Sequence, residues 1–334
     1  MILVTGGTGL IGSHLLLELL RKNLEVKAIY RNQSNLKQVL KVFGYYTSNA
    51  QEYFNKIIWV KADLNDIPAL ENAFENVHQL YHCAALISFD PNDFKRLQKI
   101  NKVGTENIVN LSLAFKIDKL CYLSSIAALG RSQNGGLVDE DTDFNDSYSN
   151  VYALSKYQAE MEVWRGAQEG LNICILNPGV VLGPGFWNNG SGLFFTSVSK
   201  KLRYYPPGAT GFVGVKDLCR LMVKAMNSSI KNERFIVISK NMSYKEVLNL
   251  IALAMGLKPP GKKLKNWQLQ TLWRLDWVRH FITRQKRKLT QNTVFSLNNP
   301  QSYNNEKVSV TYNYSFESVE DWIAFCCQKF KEEN

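Results

Sequence analysis

Two kinds of apolar pattern alternate along the chain. The first is a short, nearly continuous apolar run, found at 2–4, 25–30, 57–61, 79–83, 119–124 and 172–176. Such runs, bounded by turn residues, read as strands buried on both faces. In the second, apolar positions recur every three to four residues, as at 10–20, 93–115 and 151–166, and these stretches read as helices. Strands that alternate with helices through the first two thirds predict an α/β chain, a doubly wound parallel sheet with helices on both faces. In such sheets ligands bind at the carboxyl ends of the strands. Residues 213–226 read as a return to the sheet, with Asp217 at a helix start, and 234–239 read as one more strand. Residues 244–255 and 316–330 read as amphipathic helices.

The first strand runs straight into the first helix through Thr5-Gly6-Gly7-Thr8-Gly9-Leu10-Ile11-Gly12. A helix that starts this way leaves its first N–H groups unpaired and its positive dipole end facing outward, which makes a phosphate site. Gly6 permits the tight turn, Gly9 the approach of a pyrophosphate and Gly12 the close packing of helix on strand. Spaced glycines alone are a weak sign, but strand–turn–helix is the context a dinucleotide fingerprint requires. The sheet is therefore expected to be of the Rossmann type. Thr8, Leu10 and Ile11 complete the loop that would face the cofactor.

The end of the second strand selects the nucleotide. NAD sites place an acid there for the ribose 2′-OH. This chain has Tyr30, Arg31 and Asn32 instead. Arg31 could fork onto a 2′-phosphate, so NADP is the expected cofactor and NAD the alternative. The competing reading of Arg31 is a solvated surface arginine. Asp63 and Leu64 close the third strand, where a carboxylate can accept from an adenine amino group. Asp63 could instead cap the next helix, but Asp66 is better placed for that. Ala84 and Ala85, after the fourth strand, would let a cofactor pass close to the backbone. His82 is read as a core histidine. Asn101 could hold a water or backbone near the site, and a capped kink is an equally weighted reading.

The chemistry is expected from Leu123-Ser124-Ser125 at the end of the fifth strand and Tyr152-Ala153-Leu154-Ser155-Lys156 on the next helix. Tyr152 and Lys156, at i and i+4, share one helix face. A free phenol has a pKa of about 10, too high for a base at neutral pH. A neighbouring ammonium favours the phenolate and lowers that value. The pair would then act as an acid/base near pH 7, with Ser125 holding a carbonyl or alcohol and a nicotinamide carrying hydride. Surface helices also carry such pairs by chance; the Ser-Ser strand end and the glycine loop argue for function.

These residues together resemble the extended, epimerase/dehydratase-like branch of the short-chain dehydrogenase/reductase superfamily. The resemblance is carried by the glycine loop, Asp63-Leu64, His82-Cys83-Ala84-Ala85, Asn101 with Gly104-Thr105, Ser124-Ser125, Tyr152 to Lys156, and Asn177-Pro178-Gly179-Val180-Val181-Leu182-Gly183-Pro184-Gly185. It covers roughly the first 185 residues and is most similar to dihydroflavonol-reductase-like and 3β-hydroxysteroid-dehydrogenase-like members. It implies a Ser125, Tyr152, Lys156 triad, with Asn101 beside it and Ser124 as the substitute for Ser125. It also implies that Lys156 holds the nicotinamide ribose, that Pro178, Val180 and Val181 line the nicotinamide, and that a homodimer forms through helices 93–115 and 151–166. Sugar dehydratases of the branch carry an acidic pair beside the catalytic position; here Ile126 and Ala127 follow Ser125. The expected function is a carbonyl/alcohol reductase. A nucleotide-sugar 4-epimerase is the runner-up, for which Arg203, Arg274 and Arg279 are the candidate diphosphate ligands. A non-catalytic dinucleotide sensor or partner-binding protein is the reading from another class.

Length and composition change the picture only in part. The 334 residues, 45% hydrophobic, suit one large domain and a smaller one. The expected division is a cofactor domain over 1–184, rejoined by 213–239, and a smaller, mostly helical substrate domain over 185–212 and 240–334. The loop 185–192, with Phe186 and Trp187, reads as a mobile cover for the substrate. The net charge of +11 sits largely in Lys258, Lys262, Lys263, Lys265, Arg274, Arg279, Arg284, Lys286, Arg287 and Lys288, so it does not signal nucleic-acid binding. Within 265–288 these cations mix with Trp267, Leu269, Leu272, Trp273, Leu275, Trp277, Phe281 and Ile282. The favoured reading is a helix with its apolar face inward and its basic face in water. The other is a membrane-surface segment. The six cysteines and four histidines show no metal-ligand spacing. With the first strand at Ile2 no signal peptide is expected, and a reducing, cytoplasmic setting follows.

Overall fold

Seven strands form one all-parallel sheet. They are β1 (Ile2–Thr5), β2 (Val26–Tyr30), β3 (Ile58–Lys61), β4 (Gln79–His82), β5 (Lys119–Leu123), β6 (Ile173–Pro178) and β10 (Glu233–Val237). Their order is β10-β6-β5-β4-β1-β2-β3. The computed structural model describes residues 1–132, 135–145, 149–284, 287 and 289–334, so Lys286 and Lys288 lie outside the described residues. Every residue of β1, β5 and β6 is buried, as a strand covered by helices on both faces requires. At the edge, β3 is half exposed.

The order doubles back between β1 and β4, which opens a crevice at the strand ends. Register then decides what faces it. Thr5 pairs with His82 and His82 with Tyr122, so three polar side chains form one row across β1, β4 and β5.

Helix termini follow the local sequence. Asp66 accepts from Ala69 N and caps Ile67–Phe74, as expected of it. Asn150 caps Val151–Gln168 through Ala153 N at 2.8 Å. Ser243 and Glu246 form a reciprocal capping box on Tyr244–Met255. The long helix expected over 93–115 is broken into Phe94–Leu97, a π-helical turn at Gln98–Val103 and Gly104–Ala114. Asn101 sits in the π turn, where its amide leaves the helix to bond elsewhere.

Beyond β6 the chain builds a smaller, mostly helical region with two minor sheets. Strands β7 (Val180–Leu182), β9 (Ala209–Gly214) and β11 (Lys240–Ser243) form a mixed three-stranded sheet; β8 (Tyr204–Tyr205) pairs with β12 (Lys262–Lys263). Asp217 lies in the first turn of helix Val215–Asn227, as expected, and is fully buried. Its carboxylate accepts from the Tyr314 hydroxyl and from Glu317 N, fastening the C-terminal segment.

Two expectations about this region are overturned. Trp187 is no mobile cover: it packs edge-on to Phe195 and Phe330, and its indole N–H donates to Glu333 at 2.8 Å. Helix Asn266–Thr283 does not turn its apolar residues inward. Leu269 is its one buried residue, and Trp267, Leu275, Val278, Phe281 and Ile282 face solvent.

Candidate active site

The glycine loop begins at Gly6, whose φ of +69° lies in the left-handed region that glycine enters without strain. A Cβ on Gly6 would also lie 2.6 Å from Ala84 N, so the turn rests directly on the backbone after β4. At Gly12 a Cβ would meet the Gly6 carbonyl oxygen at 2.1 Å. Gly9 is different: its nearest neighbour would be Gly6 O at 3.4 Å, so its outer side is open. Gly9 is the N-cap of Leu10–Arg21, and no side chain caps that terminus. An uncapped N-terminus beside an open glycine fits a phosphate. Thr8 borders a cleft of about 1330 Å³ that Ser34, Asn35, Lys37 and Lys41 also line. That cleft does not reach Ser125, Tyr152 or Lys156.

Arg31 and Asp63 meet at the ends of β2 and β3, with Arg31 Nη1 3.8 Å from Asp63 Oδ2. Both are about half exposed, so the pair is weak and both groups can turn to a ligand. Asp63 also accepts from Asn65 N at 3.0 Å. Leu64 turns away: its side chain is buried against Gly104 and its carbonyl accepts from the Asn107 amide. Ala84 N donates to Thr5 Oγ1, and Ala85 is exposed. Pro178 ends β6 and is buried; Val180 and Val181 follow in β7.

At the end of β5 the two serines part. Ser124 is buried, and its hydroxyl donates to Glu160 at 2.5 Å. Ser125 stands beside the Tyr152 phenol and eases its ionisation, while its Oγ accepts from Ala127 N at 3.1 Å. Burial pushes the Tyr152 phenol up to about 12, tempered by Ser125. This corrects the expected lowering, which weighed only the neighbouring cation. The Lys156 ammonium is itself brought down to about 7 by burial, against the pull of Glu160. Lys156 donates to the Tyr122 hydroxyl at 2.6 Å and to the Leu123 carbonyl at 2.9 Å.

Tyr122 was not among the expected residues. It stands at the head of a buried polar line. Its ring stacks on that of His82 with centroids 5.5 Å apart, Thr105 Oγ1 lies 3.0 Å from His82 Nε2, and His82 Nδ1 lies 2.6 Å from Thr5 Oγ1. The line therefore links Lys156 to the residue just before Gly6. Burial drives His82 down to about 3, with Lys156 adding to the effect, so it stays neutral. Glu160 is the other residue not foreseen. It is fully buried and accepts from Ser124, from the Asn177 amide at 2.9 Å and from Arg234 at 3.1 Å. The spacing Tyr152, Lys156, Glu160 repeats every fourth residue and signals one shared face.

Asn101 is buried, and its side-chain amide is engaged on both atoms. Its Nδ2 donates to Leu86 O and to Ser155 Oγ, both at 2.9 Å, and its Oδ1 accepts from Leu86 N at 2.7 Å. With its amide engaged in this way, it pins the segment after β4 to the helix bearing Tyr152. That segment brings Phe89 edge-on to the Tyr152 ring, with centroids 5.6 Å apart. Arg203 and Arg274 are exposed, and Arg279 pairs with Asp276 at 2.7 Å. Among the described residues no cluster of His, Cys, Asp or Glu could hold a metal.

Residues 2–238 match the family described as the NAD dependent epimerase/dehydratase family. The chain belongs to that family. It is 28% identical over 262 residues to sterol demethylase protein B of Methylococcus capsulatus, covering 77% of this chain and 75% of that one. It is also 28% identical over 274 residues to a putative dihydroflavonol 4-reductase of Synechocystis, covering 79% and 75%. Among solved structures, gox2253 superposes with a TM-score of 0.82 at 24% identity, over 100% of this chain and 98% of that one. The fold and the extended short-chain dehydrogenase/reductase character are therefore those of an NAD(P)-dependent enzyme family acting on small molecules.

Proposed function

We propose that the chain is an NADP-dependent reductase of a carbonyl compound, and that Ser125, Tyr152 and Lys156 carry the proton chemistry. The observation that supports this reading best is the placing of Ser125, just past the carboxyl end of β5, beside the Tyr152 phenol, with Lys156 on the same helix face one turn on. A nicotinamide, when bound, supplies the hydride. Ser125 orients the carbonyl oxygen. A phenol near 12 is protonated at neutral pH and suits a proton donor. Lys156, near 7, can hold or return a proton beside it. Gly9 and the uncapped helix would receive the pyrophosphate, Asp63 the adenine and Lys156 the ribose.

The preference for NADP rests on Arg31, with Ser34, Asn35 and Lys37 on the cleft that Thr8 borders. Cations at this place favour a phosphomonoester over a bare hydroxyl. The relatives named as reductases point to a carbonyl substrate.

The test pairs thermal shift with turnover. NADP should raise the melting temperature more than NAD, and Arg31→Ala should erase that difference. NADPH oxidation with a panel of aldehydes and ketones should fall about 10²- to 10⁴-fold in Tyr152→Phe while the NADP shift persists. Equal shifts with NAD, together with a shift from UDP-glucose, would replace the reductase by a nucleotide-sugar epimerase. Full turnover in Tyr152→Phe would remove the proposed proton path.

A further inference from the structure

Helix Asn266–Thr283 carries apolar side chains on the face it shows to solvent. Trp267, Thr271, Leu275, Val278 and Ile282 follow each other at spacings of four, four, three and four, which is one stripe of a helix. Trp267 is 64% exposed, Leu275 59% and Ile282 73%, and Phe281 beside them 72%. The opposite side is already used: Leu269 is buried, and Asp276 Oδ2 accepts from Leu289 N at 3.0 Å. Among the described residues the outward stripe is left largely to solvent. No helix among the described residues is long and apolar enough to cross a membrane.

Charge identifies what covers the stripe. Residues 258–288 contain ten lysines and arginines and a single acid, Asp276. That acid is paired with Arg279. Lys258, Lys262, Lys263, Lys265, Arg274 and Arg284 are all exposed around the helix. A second copy of the chain would bring the same cations against these, at a repulsive cost. A nucleic acid would meet the cations but leave Leu275, Val278 and Ile282 without an apolar environment. An anionic lipid surface satisfies both, taking the aliphatic and aromatic side chains at the acyl boundary and the cations at the headgroups.

We propose that helix Asn266–Thr283 is a docking surface for membranes bearing anionic phospholipid, lying in the interface and not across it. This proposal does not rest on the reductase reading. Four residues past that helix, Arg287 N donates to Asp90, next to the Phe89 that packs edge-on to Tyr152.

The test is flotation of the full chain with phosphatidylcholine vesicles, with and without phosphatidylglycerol. The protein should float only with the anionic vesicles and be released at about 1 M salt. Leu275→Glu/Ile282→Glu should weaken that binding at least ~10-fold while its melting temperature and its thermal shift with NADP stay at wild-type values. Wild-type protein that stays in the soluble fraction with anionic vesicles overturns the proposal. So does a stable dimer that the double variant dissociates, or capture by an oligonucleotide in place of vesicles.

Discussion

Lys156 Nζ lies 2.6 Å from the Tyr122 hydroxyl and 4.3 Å from the centre of its ring. The cation is thus held from β5, two residues before Ser124, as well as from its own helix. In a fully buried place a hydroxyl that accepts from an ammonium favours its charged form. Tyr122 therefore opposes the desolvation that drives Lys156 toward neutrality.

Replacing Tyr122 with Phe keeps the ring and removes the acceptor. A hydrogen bond to a charged group contributes about 1.5–3 kcal/mol, so the ammonium should give up its proton about one to two pH units lower. We expect the alkaline limb of the kcat profile to move to lower pH by that amount, with KM for the cofactor little changed. Stopped-flow hydride transfer across pH reads it directly. A profile that superposes on wild type would mean that Tyr122 only packs.

Glu160 ties the Ser124 strand end to Asn177 and Arg234. Glu160→Ala would leave a guanidinium without its carboxylate and an amide and a hydroxyl without their acceptor. We expect a loss of about 3–5 kcal/mol in urea unfolding. Glu160→Gln should lose less, because one oxygen can still accept. Equal stability of Glu160→Ala and wild type would show that water replaces the carboxylate.

Much of this site is legible in the chain, and the part that is not has a common cause. The glycine loop, Ser125 and the Tyr152–Lys156 pair are short-range patterns, visible because turns and helix faces are local. Tyr122 and His82 gain their meaning from strand register, which sets Tyr122 beside His82 and His82 beside Thr5. Register joins residues far apart in sequence. The direction of the Tyr152 shift went the same way: a neighbouring cation can be read from spacing, but burial cannot. The favoured inward reading of helix Asn266–Thr283 failed because both of its faces carry apolar residues, so periodicity alone could not say which one the core would take.

The glycines separate into two kinds by experiment. Gly12→Ala would place a methyl 2.1 Å from the Gly6 carbonyl, which is backbone and cannot step aside. We expect a lowered melting temperature and no NADP shift. Gly9→Ala meets only an ordinary contact at 3.4 Å, so it should melt as wild type does and lose affinity for the dinucleotide alone. Isothermal titration beside calorimetric melting distinguishes the two. If Gly9→Ala binds NADP unimpaired, the phosphate does not pass over that residue.

Two buried histidines set the acid limit of stability. Burial lowers His14 to about 4 and His82 to about 3, against an ordinary value near 6.5. Between 6.5 and those values the unfolded chain binds protons that the folded chain does not, so stability falls as pH falls. Each histidine contributes a slope of about 1.4 kcal/mol per pH unit in that window. We expect urea midpoints to drop steeply from pH 6.5 to 4.5, and His14→Phe to flatten the slope by about half. A midpoint independent of pH over that range would contradict the neutral assignment.

The last strand of the main sheet comes late in the chain. β10 pairs with β6 from Glu233 to Val237, and its outer edge is closed where Ile236 N donates to the Glu140 carboxylate at 2.8 Å. Lys119, at the start of β5, donates to the carbonyls of Ala225, Ser228 and Ile230 just before β10 begins. A nascent chain that has reached only Pro184 thus carries β6 as a raw edge, apolar and free to pair with a stranger. The boundary that looks natural on paper is a poor place to cut. Synthesis must run past residue 237 before the sheet is sealed, and the cofactor half matures together with the segment that interrupts it.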